Sequence, residues 1–175
     1  MGELAELEAW IAVVDACIRP IAERPVDLTD PDWVRRMREG PQPLDEAGVR
    51  PEAEAALRHV LSLYTVGDED LRADLRALLD RHRSFRWATT LPFEPTPQGF
   101  RQCLLRMSVD DQGADTRDMM VTLNGLCEQA RDAGVDIRPL LLDVAALSSD
   151  VDKYGMGSTR DILLRAAARE PSGLW

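Results

Sequence analysis

In EDLRADLRALLDRHRSF, residues 69–85, the apolar side chains Leu71, Leu75, Leu78, Leu79 and Phe85, with His82 among them, recur at intervals of three and four. That spacing gathers them on one face of a helix, whereas in a strand it would scatter them over both faces. Leu4, Leu7, Trp10, Ile11, Val14 and Ile18 repeat the pattern near the N-terminus, and period-two alternation is scarce along the whole chain. Start signals agree: Asp30-Pro31 and Thr96-Pro97 each pair a capping side chain with proline at the first helical position, and Asp68 and Asp115 can cap in the same way. Helices are predicted near 3–19, 31–38, 51–65, 69–84, 97–108, 116–132, 138–148 and 159–168. The expected fold is all-α, a compact bundle of about seven to eight helices.

Two connections interrupt the pattern, GPQPLDEAGVRP at 40–51 and WATTLPFEPTPQG at 87–99. The second leaves room for a short extended segment near 87–94 and marks candidate lobes at 1–88 and 95–170. With aromatic residues at only 5% there is little to fill two separate cores, so one α-helical domain over 1–170 is expected, followed by a frayed tail at 171–175.

The chain has 31 acidic and 21 basic residues, a formal net charge of −10. A negative field of that size opposes binding to nucleic acid or to an anionic membrane, both of which are held through positive charge. The expected partner is a protein with a basic surface, with no nucleic acid and no membrane; the oligomeric state is not legible. No uncharged run approaches the roughly 20 residues that a membrane-crossing helix requires. Glu3, Glu6, Glu8 and Asp15 argue against a secretory signal, which points to a cytoplasmic protein. Cys17, Cys103 and Cys127 lack CxxC spacing and fall on predicted apolar stripes, as reduced core thiols do.

The densest chemistry lies in SSDVDKYGMGSTRD, residues 148–161, which holds the only lysine, Lys153, beside Tyr154, one of two tyrosines. Taken as a twelve-residue loop, Asp150, Asp152, Tyr154, Gly155, Met156, Ser158 and Asp161 occupy positions 1, 3, 5, 6, 7, 9 and 12. Over these residues alone the segment resembles an EF-hand calcium loop, with oxygen donors at 1, 3 and 12 and glycine at the sharp turn. It departs from that pattern at Tyr154, at Gly157 and at Asp161, which is shorter than the usual glutamate. Asp150, Asp152 and Asp161 are therefore weak metal candidates, and no metal or other cofactor is expected. The competing reading is a helix-to-helix connection in which Ser158 and Asp161 form a capping box and the glycines permit positive φ. Lys153 and Tyr154 then have no structural task, and with Asp150, Asp152, Met156 and Arg160 they make a candidate interaction patch. The run GMGST, lacking a following Gly-Lys and a preceding strand, is a poor phosphate cradle.

A second acidic turn at 108–118 gathers Asp110, Asp111, Asp115 and Asp118, in which Asp115 and Asp118 suit a helix start and the other two suit solvated charge. Catalytic residues are few: His59 and His82 both fall in predicted helices, and no Ser or Cys stands beside a base in any known pattern. These observations favour a non-catalytic cytoplasmic binding protein, of the kind that neutralises a bacterial toxin or serves as a regulatory adaptor, acting through its acidic surface and the 148–160 turn. The alternative is a small helical enzyme or ligand- or metal-binding protein, with Asp110, Asp111, Asp150, Asp152 and Lys153 converging from the 110–115 and 150–160 turns.

Overall fold

The computed structural model describes residues 2–40, 42–89, 94–109, 116–152 and 155–170. Among them it has ten helices and no strand: α1 (Glu3–Ala22), α2 (Trp33–Glu39), α3 (Pro43–Glu46), α4 (Arg50–Val66), α5 (Glu69–Arg81), α6 (Arg83–Ala88), α7 (Pro97–Val109), α8 (Thr116–Asp132), α9 (Arg138–Leu147) and α10 (Thr159–Arg169). The all-α expectation holds. No helix among the described residues is long and apolar enough to cross a membrane.

The chain divides into two compact units, Met1–Leu63 with Glu69–Leu91, and Tyr64–Asp68 with Pro92–Trp175. In the first, α1 packs on α6 and α3, and α5 packs on α6. Leu7, Ile11, Val14 and Ile18 of α1 are buried, as are Leu75, Leu78 and Leu79 of α5 and Phe85 of α6. In the second, α9 packs on α10 and α7, and α7 on α8. A hydroxyl chain runs through its interior: Tyr64 Oη lies 3.2 Å from Ser108 Oγ, which lies 2.7 Å from Ser148 Oγ, and Ser148 donates to the Val144 carbonyl. All three hydroxyl residues are fully buried, so each relies on the others for the hydrogen bonds water would supply.

The structure departs from the predicted elements in four places. The single helix expected at 69–84 breaks at His82, whose backbone leaves the helical region (φ −113°, ψ 63°), and restarts as α6. No proline or glycine causes this. Asp15, a buried side chain of α1, accepts a hydrogen bond from the Phe85 N–H at 2.7 Å, and so caps a helix whose own N-cap residue offers no side-chain bond. Asp30 does not start α2: its carboxylate accepts from the Asp32 N–H in a local turn, and the helix begins at Trp33. The proline-rich connection at 40–51 contains the one-turn α3, with Pro43 at its start. Finally, Cys17 is exposed rather than buried; Cys127 is buried and Cys103 is intermediate. Thr96 behaves as expected, accepting from the Gly99 N–H at the start of α7. Near 87–94, Trp87 and Ala88 belong to α6, and 90–93 lie outside the described residues, as do 171–175.

Candidate functional site

The 148–161 turn begins where α9 runs out of internal partners for its last carbonyls. Arg160 supplies them: its Nε donates to the Ala145 carbonyl at 3.2 Å and its Nη2 to the Ser148 carbonyl at 2.8 Å. A cation at a helix C-terminus also meets the negative end of the dipole. The Arg160 backbone N–H donates to the Ser149 carbonyl, so one residue ties the end of α9 to the start of α10 twice. Its remaining Nη1 faces Asp150 at 3.5 Å, where the Asp150 side chain is 74% exposed.

Asp152 organises the middle of the turn. One carboxylate oxygen accepts from the N–H groups of Gly155 and Met156 at 2.7 and 3.2 Å, and the other accepts from Gly157 at 3.1 Å. Three successive N–H groups can aim at one carboxylate only if the chain curls tightly, and both glycines sit at positive φ, +71° at Gly155 and +99° at Gly157. A side chain at Gly157 would also push the Arg165 guanidinium aside, because a Cβ there would lie 2.6 Å from Arg165 Nη2. That guanidinium donates to the Met156 carbonyl at 2.9 Å and fastens the turn to α10.

The capping box predicted from Ser158 and Asp161 is present in full. Ser158 Oγ accepts from the Asp161 N–H at 3.1 Å, and the Asp161 carboxylate accepts from the Ser158 N–H at 3.1 Å. The Ser158 backbone N–H, then its hydroxyl, hold the Asp161 carboxyl below the ordinary aspartate range.

Each candidate residue of the turn can now be located. Asp150, Asp152, Asp161 and Arg160 are engaged in bonds within the turn and to its flanking helices. Met156 is 54% exposed, and Val151 and Leu164 also stand in solvent. Gly155, Met156, Gly157, Asp161, Leu164, Arg165 and Ala168 line a shallow open depression between the turn and the outer face of α10. Lys153 and Tyr154 lie outside the described residues, as do Asp110, Asp111 and Asp115 of the second acidic turn. Among the described residues no three His, Cys, Asp or Glu side chains form a group able to hold a metal ion.

Two further groups stand out in the first unit. His82 has both ring nitrogens buried without a hydrogen bond, 3.5 Å from Glu8 and 4.0 Å from Asp15. Glu8 bonds Arg81 at 2.8 Å, and this bond more than any other cause lowers its pKa. Two of the arginines near His82 pair with carboxylates of their own unit, Arg81 with Glu8 and Arg86 with Asp80. His59 sits 3.2 Å from Glu3.

No protein-family model, curated protein or solved structure matches the chain.

Proposed function

We propose that this chain is a non-catalytic cytoplasmic binding protein, a regulatory or toxin-neutralising adaptor, that recognises a basic partner protein through the 148–160 turn and the adjoining face of α10. The observation that carries this reading is the division of labour in the turn. Asp152, Asp161 and Arg160 are occupied with holding the backbone in shape, while Met156, Val151 and Leu164 present apolar surface. A scaffold whose described polar groups are mostly tied to the backbone, and which exposes apolar side chains, suits contact better than chemistry. Exposed methionine packs adaptably against a partner surface. The net charge of −10 supplies the attraction to a basic protein and speeds its arrival.

The test is affinity capture from cells of the native host, followed by purification of the captured protein and titration against wild type and variants. The partner is expected to have a basic surface, with association slowing as salt rises. Met156→Asp is expected to weaken binding by about tenfold or more, as loss of a central apolar contact does. Lys153→Ala with Tyr154→Ala is expected to weaken it while leaving helix content unchanged. A partner bound equally by all three proteins would refute the role of this turn.

A further inference from the structure

We propose that the outer face of α1 pairs two copies of this chain, antiparallel, about a two-fold axis at the level of residue 15. This helix is apolar on two sides. Leu7, Ile11, Val14 and Ile18 are buried, yet Trp10, Val13, Cys17 and Pro20 form a second stripe in solvent, with Ala9 and Ala16 beside it. Val13 is 65% exposed. Steps of three, four and three residues between these positions follow a seven-residue repeat, the spacing that aligns one helix along another. Continuing the repeat by four residues each way reaches Glu6 at one end and Arg24 at the other. Arg24 lies past the last helical residue, but its N–H still bonds the Ile21 carbonyl, so the chain keeps turning to that point.

The stripe therefore reads as an acid, four apolar residues and a base. Laid antiparallel on itself, it sets residue i against residue 30 − i: Trp10 meets Pro20, Val13 meets Cys17 and Glu6 meets Arg24. Each contact is complementary, and the two-fold axis makes each occur twice. A parallel pairing would instead set Glu6 on Glu6 and Arg24 on Arg24, like charges that repel. Charge thus selects both the occupant, a second copy, and its direction.

An open pocket at the same end of the helix, which shares Glu6 and Trp10 with the seam, agrees with this register. Glu3, Glu6, Leu7, Trp10 and His59 line this open pocket of about 230 Å³. Glu3 lies 3.2 Å from His59, and Glu6 and the Trp10 indole are groups that a guanidinium binds, through ion pairing and cation–π attraction. The register brings Arg24 of the second copy to that opening. In the single chain Arg24 rests on Glu46 in an exposed pair, which costs little to exchange.

A single helix–helix seam is smaller than the roughly 1,600 Å² of a standard interface, so micromolar rather than nanomolar affinity is expected. Sedimentation equilibrium of the full chain tests this, with circular dichroism confirming that each variant folds. Wild type should dimerise, and Val13→Glu, which sets charges in the apolar seam, should be monomeric. Glu6→Arg and Arg24→Glu should each weaken the dimer by about tenfold, and the two together should restore it, because the swapped charges again face each other. A wild type that stays monomeric up to roughly 500 µM would overturn the proposal. So would a dimer that Val13→Glu leaves intact, or a double variant as weak as the singles. None of these substitutions touches the 148–161 turn, so failure here leaves the proposed partner binding standing.

Discussion

Replacing Asp15 by alanine tests the least expected feature of the first unit, the capping of α6 by a side chain of α1 some 70 residues away in sequence. The Asp15 side chain is only 2% exposed, with one oxygen 2.7 Å from the Phe85 N–H and the other 2.6 Å from Arg19 Nη2. The two bonds differ in worth. Arg19 is half exposed and would return to water, so its share is that of a surface pair and small. The Phe85 N–H belongs to a buried residue, and losing a charged acceptor there costs about 1.5–3 kcal/mol. Asp15→Ala should therefore destabilise the chain by about 2–4 kcal/mol in urea denaturation. Asp15→Asn keeps an acceptor at the same place and should cost about half as much, and Arg19→Ala much less than either. Hydrogen exchange at the Phe85 amide gives the local readout: it should speed up in Asp15→Ala and stay slow in Arg19→Ala. The reasoning fails if Asp15→Ala falls within about 0.5 kcal/mol of wild type, the range of an ordinary surface change. It also fails if Arg19→Ala costs as much as Asp15→Ala, for then the ion pair and not the cap would be the source.

Three other expectations follow from single sites. Burial, reinforced by the nearby Glu170, pushes the Cys127 thiol up to about 12, and burial raises Cys103 as well; at pH 8 a thiol reagent should therefore label exposed Cys17 first and Cys127 only on unfolding. The Asp161 carboxyl is held below its ordinary value of 3.8, so the stabilisation from the capping box is complete above that pH and is lost as pH falls through the lower folded value. The Ser158 amide resonance should shift below pH 3.8 in wild type and not in Asp161→Asn, and a midpoint at or above 3.8 would contradict the bond. Ser108→Ala breaks the buried hydroxyl chain between Tyr64 and Ser148, and should lower stability by about 1–2 kcal/mol in thermal or urea unfolding.

The fold was legible where the determining interactions are local. The stripe at 69–85 required a helix because its period is built into neighbouring positions, and the Ser158 and Asp161 box could be found because both partners lie three residues apart. What could not be read has its cause at a distance. The break at His82 depends on Asp15, and nothing within 69–85 hints at it. Cys17 was misassigned because α1 carries two apolar stripes, and periodicity cannot say which one faces inward. In the turn, the roles of Asp152 and Arg160 were hidden for another reason: their partners are backbone N–H and carbonyl groups, which every sequence contains.

That last point bears on how the 148–161 turn can act. Spacing alone made Asp150, Asp152 and Asp161 look like donors to a hard cation, but a lone pair already accepting an N–H is not available to a metal. Asp152 accepts three N–H groups with its two oxygens, and one oxygen of Asp161 takes both the N–H and the hydroxyl of Ser158. The Asp152 oxygen that already accepts the amides of Gly155 and Met156 could coordinate a cation only by giving up one of them, which would loosen the positive-φ curl. The curl is also what holds Met156 out in solvent, with its carbonyl bound to Arg165. Metal binding through that oxygen would therefore work against the presentation of Met156. On the proposed reading the aspartates act on a partner only at long range, through charge, and contact falls to the apolar side chains that their hydrogen bonds keep exposed.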